Sequence, residues 1–339
     1  MKKTLDYLGV DLGGSGVKVV QLSSQNGRAK LATYGFSERA PKDIISSVED
    51  TKSIAMELRE VCDKAGITTK QAITGLPVAE VFSTIFSFTG IKQKELEFAI
   101  KDKVTKLSPI PAEDMVIDWK KIGEEKGNTD LTRVSVTVAS KKLINNYLKI
   151  FKIAGLELMN LETEAFALIR SLLGKDKSPS FIIDIGSLKS NVLIVKEGVP
   201  FIHRSVKTGG QKLSDVIVSK LGLSSEKAEF VKKGLSIQRT ESIKVLLNDL
   251  IGPIVDEIKY SQEFYEQQYN HGIIEKIILT GGSSVFPGLP ELLMEKTGFR
   301  AFLGDPWTRV IYPNDLRPVL DRIGPKFSIA IGLSLRDMG

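Results

Sequence analysis

Apolar positions at the start of the chain form two short β-branched runs, Leu5–Val10 and Val17–Leu22, separated by the glycine-rich segment Asp11–Gly16. This pattern predicts two strands joined by a tight turn, because glycine adopts turn conformations that other residues avoid. Ser180–Val195, near the middle of the chain, repeats the pattern: an apolar strand ends in Asp and Gly, and a polar turn leads into a second strand. The repeat predicts two related hairpins, one in each half of the chain.

Other segments have helical spacing. Asp43–Lys64 and Ile243–Asn270 place apolar residues three or four positions apart, which is typical of amphipathic helices. Strands of buried type, such as Lys276–Thr280, alternate with these helices. The alternation predicts an α/β fold.

The region between residues 90 and 155 has a pattern of its own. Lys92–Leu107 and Ser140–Ala154 are predicted helices, and the strands Met115–Ile122 and Arg133–Ala139 lie between them. A helix, a strand pair and a helix predict a compact α+β insert.

The composition narrows the chemistry. The chain has 339 residues, which suggests two or more lobes, and one cysteine, Cys62, which excludes an intramolecular disulfide. With only His203 and His271 as histidines, a Cys/His zinc cluster cannot form and a histidine-based triad has little room.

Membrane and targeting signals are weak. The sequence has no run of the roughly 20 apolar residues that a spanning helix needs, and Met1–Asp6 lacks the apolar part of a signal peptide. We therefore expect a cytoplasmic protein. The net charge of +6 would suit an anionic membrane surface but is more typical of a solvated surface, and we expect no nucleic-acid partner.

The first glycine turn fits neither usual nucleotide loop. There is no Walker A pattern, and Gly14–Gly16 runs into a β-branched strand instead of the helix that a dinucleotide fingerprint opens. The turn does fit a phosphate-binding hairpin, because glycines leave backbone N–H groups accessible. Asp11 could then hold a hydrated Mg²⁺, Ser15 could donate to phosphate and Lys18 could supply positive charge. An ordinary hairpin is the alternative.

The second hairpin favours the functional interpretation. Asp184 follows an apolar strand as Asp11 does, so the two carboxylates could share one metal across a cleft. A third segment, Thr280–Ser283, is a strand end followed by a double glycine, against which a base or ribose could lie.

These three segments resemble the phosphate-1, phosphate-2 and adenosine motifs of the actin, Hsp70 and sugar-kinase superfamily. Within it the chain is most similar to the PilM family of actin-like proteins in type IV pilus assembly, with the FtsA family of cell division as its nearest relative. Further similar segments are Glu162–Leu168, Ala228–Lys232, Glu257–Ser261 and Lys326–Leu333. The resemblance covers nearly the whole chain. It implies a two-lobed actin-like ATPase fold with an α+β insert in the first lobe, and it implies ATP and Mg²⁺ as ligands.

The resemblance also implies roles for matching residues. Glu229 and Lys232, three apart on one helix face, match a pair that holds adenine and ribose; an exposed ion pair is the alternative. Glu162 matches a residue that orients the attacking water; a carboxylate at a helix N-terminus is the alternative. The catalytic candidates are Asp11, Glu162 and Asp184, of which Asp11 and Asp184 are also the metal candidates. Whether ATP is hydrolysed slowly or only bound stays open.

The expected nucleotide-binding residues come from both hairpins, from the glycines beyond them and from the adenosine segments. They are Gly13, Gly14, Ser15, Gly16, Lys18, Gly186, Ser187, Gly209, Gly210, Glu229, Lys232, Gly281, Gly282 and Ser283.

By the same resemblance, the groove between the first lobe and the insert receives the cytoplasmic N-terminal peptide of a PilN-like inner-membrane protein, so the chain would reach the membrane only through this partner. The groove walls are expected around Phe82–Phe88. The expected units are residues 1–89 with 155–179 and 322–339 as first lobe, 90–154 as insert and 180–321 as second lobe. A related type II secretion pathway and self-association stay open.

Two alternatives remain. An FtsA-like membrane-tethered protein would need an amphipathic anchor after the last apolar segment, Phe327–Leu335, where only a few residues follow. A small-metabolite kinase would need a general base between the phosphate motifs, where Asp102, Asp114 and Asp118 are available.

Overall fold

The computed structural model describes residues 7–41, 48–122, 131–235, 241–269 and 273–338. Its strands are β1 (Leu8–Gly13), β2 (Gly16–Gln25), β3 (Arg28–Phe36), β4 (Gln71–Leu76), β5 (Phe82–Thr89), β6 (Met115–Ile122), β7 (Leu131–Ser140), β8 (Glu157–Thr163), β9 (Ser180–Ile185), β10 (Ser190–Lys196), β11 (Val199–Val206), β12 (Lys276–Thr280), β13 (Arg300–Leu303) and β14 (Val310–Ile311). Its helices are α1 (Val48–Lys64), α2 (Gln93–Leu107), α3 (Lys141–Ala154), α4 (Glu164–Leu172), α5 (Gly210–Leu221), α6 (Ser225–Leu235), α7 (Glu241–Tyr269), α8 (Leu289–Thr297) and α9 (Arg317–Ser334).

The largest sheet contains the first predicted hairpin and has the strand order β14-β3-β2-β1-β4-β8. β1, β2 and β3 form an antiparallel meander, whereas β4 runs parallel to β1 and β8 runs parallel to β4. Apolar residues of α1 and α3 cover one face, where Leu58 and Phe151 pack in one buried cluster with Val10. Most of the apolar segment Phe327–Leu335 lies in α9, whose Ser334 Oγ accepts from the backbone N–H of Gly9 at 3.0 Å.

The second sheet repeats the meander as β9, β10 and β11 and has the order β11-β10-β9-β12-β13. β12 is parallel to β9, and the register pairs Thr280 with Asp184 at their carboxyl ends. The predicted adenosine segment therefore begins beside the second phosphate hairpin because the two strands are direct neighbours.

Helices α4 and α9 connect the two sheets. One buried cluster contains Ile73 of β4, Ala167 of α4, Leu333 of α9 and Ile182 of β9. The two halves of the chain thus share apolar packing through these two helices.

The third sheet has the order β5-β7-β6. The unit that it forms differs from the predicted insert by one additional strand and one helix fewer. The sequence pattern predicted a strand pair in the insert and a separate strand, over Val81–Phe88, in the first lobe. That strand, β5, instead pairs with β7, and its Phe86 and Phe88 pack on Ile100 of α2. Helix α3 was predicted to belong to the insert. Instead its Tyr147 and Phe151 are buried with the core of the first sheet, because they share a strongly apolar helix face.

The division of the chain into two lobes and an insert stays a prediction. It assigns Val310–Ile311 to the second lobe, whereas this strand pairs with β3 of the first sheet. Order along the chain alone does not reveal such a return to an earlier sheet.

The longest helix of the described residues, α7, spans 29 residues and continues past Pro253. It is amphipathic, with Ile254 and Ile258 in the core of the second sheet and Tyr260 exposed. Among the described residues, no helix is long and apolar enough to cross a membrane.

Candidate functional site

A cavity of about 1430 Å³ lies where the hairpins of the first two sheets meet. It brings together most of the residues that the sequence predicted. These are Asp11, Gly13, Gly14, Ser15, Lys18, Asp184, Gly186, Ser187, Gly210, Glu229, Lys232, Gly281, Gly282 and Ser283. Segments that are far apart in sequence therefore form one site.

Three predicted residues lie outside the cavity lining: Gly16, Gly209 and Glu162. Gly16 pairs with Gly13 across the first turn, and Gly209 adjoins Gly210, so both support lining residues. Glu162 has a different environment, described below.

The first hairpin holds a buried ion pair at its open end. Lys18 Nζ lies 3.2 Å from Asp11 Oδ2, and both side chains are less than a tenth exposed. Gly13 makes this approach possible, since a Cβ added at residue 13 would lie 2.2 Å from Lys18 Nζ. A larger residue at 13 would displace the Lys18 ammonium group, so the ion pair with Asp11 in this geometry requires glycine at position 13.

The second hairpin places a carboxylate opposite the first. Asp184 at the end of β9 accepts from Asn191 Nδ2 at 3.3 Å. The turn that follows is tied to α5, because the Gly210 N–H donates to the Gly186 carbonyl at 2.9 Å and the Gln211 N–H donates to the Ser187 carbonyl at 2.8 Å. The start of α5 is thereby fixed against this turn.

The adenosine segment touches the same carboxylate. Gly281 has a φ of +90°, and a Cβ built on it would lie 2.5 Å from Asp184 Oδ1. The Ser283 N–H donates to the Ile185 carbonyl at 3.0 Å, which fixes the double-glycine segment along the second hairpin.

Burial and like charges dominate the electrostatics of the cavity. Burial and, to a smaller extent, the charge of Asp11 raise the pKa of Asp184 to about 6, against the opposing effects of Lys18 and Asn191. Burial likewise raises the pKa of Glu164 to about 8, with added repulsion from Asp11 and Asp184. A bound cation would relieve this repulsion.

The donor set fits a hydrated Mg²⁺. Mg²⁺ is usually held by one or two carboxylates together with water and substrate phosphates, and Asp11 and Asp184 supply two carboxylates. Among the described residues there is no group of three or more His, Cys, Asp or Glu side chains that could hold a metal without such help.

Glu229 and Lys232 form a network with the start of α5. Lys232 Nζ donates to Glu229 Oε1 at 2.5 Å, to Ser214 Oγ at 2.7 Å and to the Gly210 carbonyl at 3.3 Å, and Ser214 Oγ also donates to Glu229. The Glu229 side chain keeps 41% of its surface exposed, so it can also accept from a ligand. The predicted helix pair is therefore a positioned part of the cavity wall.

The predicted catalytic position of Glu162 is not supported by its surroundings. Both of its carboxylate oxygens are held by Arg170 at 2.8 and 2.9 Å, and Arg336 Nη1 lies 2.8 Å from Oε2. These contacts tie β8 to α4 and to the segment after α9. Glu162 is thus a buried ion-pair partner outside the cavity.

The carboxylate of this segment that lies in the cavity is Glu164. It is the first residue of α4, it is 9% exposed, and the Val78 N–H donates to its Oε2 at 3.4 Å. Glu162 and Glu164 would share a face if the strand continued, but the chain turns into a helix between them. The sequence motif located the segment, and the helix start decided which carboxylate faces the cavity.

Tyr147 also lines the cavity, and sequence reasoning missed it. It lies on α3, its side chain is 0% exposed, and its hydroxyl has no hydrogen-bond partner among the described residues. The apolar helical pattern of α3 gave no signal for this, because a tyrosine on such a face is usually a core residue.

The three aspartates considered for a metabolite kinase do not reach the cavity. Asp102, Asp114 and Asp118 are exposed on the insert, and Asp102 pairs with Lys106 on the surface of α2. The described residues thus offer no support for a substrate base in the insert.

Comparison with known proteins places this site in a family context. The family model described as type IV pilus assembly protein PilM matches residues 9–338. The cell division protein FtsA of Streptococcus pneumoniae is 24% identical in an alignment that covers 88% of this chain and 75% of FtsA. A chain of the PilM-PilN type IV pilus biogenesis complex superposes with a TM-score of 0.85 at 23% identity, covering 99% of this chain and 100% of that one.

A more distant solved structure shares the architecture. MreB5 of Spiroplasma citri bound to ADP superposes with a TM-score of 0.53 at 13% identity, covering 97% of this chain and 95% of that one. Together with the sheet order, these likenesses confirm the predicted two-lobed, actin-like α/β fold.

Proposed function

The chain belongs to the PilM family of type IV pilus assembly proteins, and from that premise we propose that it is an ATP-binding scaffold that docks the cytoplasmic N-terminal peptide of a PilN-like inner-membrane protein. The observation that carries the nucleotide part is the single cavity in which both hairpins, the double glycine and the Glu229–Lys232 pair meet. A nucleotide has phosphates, a sugar and a base, so its binding cavity needs lining residues of different chemistry for each of these parts.

Each wall suits one part of ATP. The turns at Gly13–Ser15 and Ser187 lie in the cavity lining, where backbone N–H groups would meet phosphates, and Lys18 adds a positive charge. Glu229 and Lys232 suit the ribose and base, because they supply one acceptor and one donor at the start of α5. Bound Mg²⁺ would supply charge neutralisation for the phosphates, held by Asp11 and Asp184.

The protonation state of Glu164, the carboxyl group of the β8–α4 segment in the cavity, is compatible with slow ATP hydrolysis. The water-orienting role that the sequence predicted for Glu162 is more compatible with Glu164, which lies in the cavity lining. However, its pKa of about 8, raised mainly by burial, leaves Glu164 largely protonated at neutral pH, when it cannot accept a proton from water. We therefore propose a nucleotide-dependent binding protein with slow hydrolysis.

The insert offers a surface for an extended peptide. β5 pairs with β7 along one edge, and among the described strands none pairs with its other edge. Phe82 and Ile85 of β5 are half-buried, so apolar surface stays accessible there. An extended segment can add to such an edge through backbone hydrogen bonds, with specificity from alternate side chains. This supports a groove beside Phe82–Phe88, through which the protein would reach the membrane by way of its partner.

The test is a calorimetric titration of the full chain with a synthetic N-terminal peptide of a PilN-like protein, without nucleotide and with Mg-ATP. We expect binding in both conditions, with affinities that differ between them, because coupling requires different affinity in the two states. A scrambled peptide is the control. Absence of binding would contradict the partner, and equal affinity would contradict coupling to ATP.

A further inference from the structure

Lys189 lies in the turn of the second hairpin, between β9 and β10, and belongs to the cavity lining. The Gly186 N–H closes this turn by donating to the Lys189 carbonyl at 3.0 Å. A Cβ added at residue 186 would lie 2.9 Å from the same carbonyl oxygen, so the turn is tight. The backbone therefore fixes the position of Lys189 in the lining, while its side chain keeps 34% of its surface exposed and accessible to a ligand.

The carboxylate partner of Lys189 comes from the first half of the chain. Glu80 ends the short helical turn Val78–Glu80, which follows β4 of the first sheet, and it lines the same cavity. Lys189 Nζ lies 3.9 Å from Glu80 Oε1, and the Glu80 side chain is 53% exposed. This ion pair connects the turn of the second hairpin with a segment that leaves the first sheet.

The ion pair of Lys189 is long compared with those of other lysines in the cavity lining. The distance from Nζ to the partner carboxylate is 2.5 Å for Lys232, 2.9 Å for Lys326 and 3.2 Å for Lys18, against 3.9 Å for Lys189. An ion pair between partly exposed groups contributes little to stability, because water can hydrate both groups instead. Of these lysines, Lys189 therefore exchanges its carboxylate partner at the lowest cost.

Nucleotide phosphates are stronger partners for Lys189 than Glu80 is. A triphosphate carries several negative charges, and hydrogen bonds between an ammonium group and phosphate oxygens are short and strong. Ser187 and Lys189 belong to the same turn and to the same lining, so phosphates placed at this turn lie beside Lys189.

We propose that Lys189 exchanges its ion pair with Glu80 for the phosphates of a bound nucleotide, which releases the chain segment that leads into β5. The inference rests on the proposed function, because it needs a nucleotide in the cavity with its phosphates at the hairpins. It adds a phosphate-binding lysine to the predicted residues, and it assigns the coupling between nucleotide and peptide to one contact.

The position of Glu80 connects this exchange with the docking surface. β5, the strand proposed to bind the peptide, begins at Phe82, two residues after Glu80. The turn Val78–Glu80 and β5 both lie alongside β11, the edge strand of the second sheet. Loss of the ion pair therefore removes a restraint on the chain directly before β5.

The first experiment compares Lys189→Gln and Glu80→Gln with wild type in calorimetric titrations of the full chain with Mg-ATP. We expect affinity to fall about tenfold in Lys189→Gln, which loses a charge-assisted hydrogen bond. We expect it to rise about threefold in Glu80→Gln, because the competing carboxylate is gone. Loss of a merely structural ion pair would affect both variants alike. Unchanged affinity in either variant, or weakening in both, would overturn the exchange.

Glu38→Gln is the matched control for removing a carboxylate from the lining. Glu38 is 56% exposed and pairs with Lys326, which also lies over the Phe36 ring at 3.7 Å and therefore keeps a partner in the variant. We expect its Mg-ATP affinity to stay within about twofold of wild type. A threefold rise in this control as well would assign the effect of Glu80→Gln to net charge.

The double variant tests whether Glu80 acts through Lys189. In the Lys189→Gln background, Glu80→Gln should change Mg-ATP affinity by less than about 1.5-fold, because only a screened repulsion remains. A threefold rise in this background would overturn the exchange. Since both side chains are partly exposed, we expect thermal midpoints of the ligand-free variants close to that of wild type.

The second experiment measures the release of β5. The ratio of PilN-like peptide affinities with and without Mg-ATP should move towards one in Glu80→Gln, because the ion pair is absent in both conditions. A ratio as large as that of wild type would overturn this part of the inference. If wild type itself bound no Mg-ATP, the proposed function would fail, whereas normal binding in wild type with unaffected variants would contradict the exchange alone.

Discussion

Lys18 Nζ lies 3.2 Å from Asp11 Oδ2 across the first hairpin, and both side chains are nearly inaccessible to solvent. Each charge is compensated by the other, and Lys18 also lowers the pKa of Asp184. The positive charge of Lys18 therefore stabilises the ionised forms of both Asp11 and Asp184 in a buried site.

Substitution Lys18→Met should harm both stability and binding. It leaves the buried charge of Asp11 without its partner, so we expect a loss of about 3 kcal/mol in the free energy of unfolding and at least tenfold weaker Mg-ATP binding. Urea denaturation and calorimetry measure the two effects. Lys64→Met is the control, because Lys64 pairs with Glu60 on the exposed surface of α1 and should leave both quantities nearly unchanged. A Lys18 variant as stable as this control would contradict the interpretation.

The glycines after β12 provide a matched pair for a backbone prediction. At Gly281 the φ of +90° is strained for other residues, and a Cβ would lie 2.5 Å from Asp184 Oδ1; at Gly282 the nearest neighbour of a Cβ is Lys326 Cγ at 3.9 Å. We expect Gly281→Ala to lower the free energy of unfolding by roughly 2 kcal/mol and Gly282→Ala to change it by less than about 0.5 kcal/mol. Chemical denaturation of both variants checks this, and equal losses would contradict the predicted difference between the two positions.

Much of this site was predictable from local pattern. The two hairpins and the double glycine are short segments whose apolar strands and glycine turns are written directly in the sequence, and strand pairing then brings Asp184 beside Thr280. The two-lobed α/β fold was implied by the resemblance of these segments to the actin-like superfamily.

What could not be predicted depends on where elements end and what they pack against. The turn from β8 into α4 separates Glu162 from Glu164, and a shift of two residues moves the carboxylate from an ion pair into the cavity. Tyr147 reaches the cavity because α3 packs on the first sheet, a long-range contact that periodicity does not specify. The strand over residues 82–88, β5, was predicted but assigned to the first lobe, because its pairing with β7 is likewise a long-range contact.

The raised pKa of Glu164 predicts a pH-dependent stability of the ligand-free protein. Its ordinary pKa of 4.5 rises to about 8 on folding, so between these values the folded protein holds a proton that the unfolded chain has lost. The free energy of unfolding should therefore fall as pH rises, by up to about 1.4 kcal/mol per pH unit, and level off above pH 8.

The interval from about pH 6.5 to 8 isolates this effect. In that interval Asp184, with a pKa of about 6, has lost most of its proton, and His203, whose pKa of 6.5 in the unfolded chain falls to about 4 on burial, contributes equally to wild type and to a Glu164 variant. Glu164→Gln removes the titrating group while keeping its shape, so urea midpoints measured at several pH values should fall more steeply with pH in wild type than in the variant. Equal slopes in the two proteins would assign the titration to another group.

Replacing each of the two carboxylates of the β8–α4 segment, Glu162 and Glu164, by its amide should have different effects on stability and on nucleotide turnover. Glu162 is held by Arg170 and Arg336, so Glu162→Gln should lower the free energy of unfolding by roughly 1–3 kcal/mol while Mg-ATP affinity stays within about twofold of wild type. Glu164→Gln should instead raise stability at pH 8, because it removes a buried charge, and should abolish any slow phosphate release that wild type shows. Denaturation at pH 8 and a phosphate-release assay on both variants measure this. A Glu162 variant that keeps its stability but loses nucleotide turnover would restore the catalytic role to Glu162 and contradict its assignment as a structural ion pair.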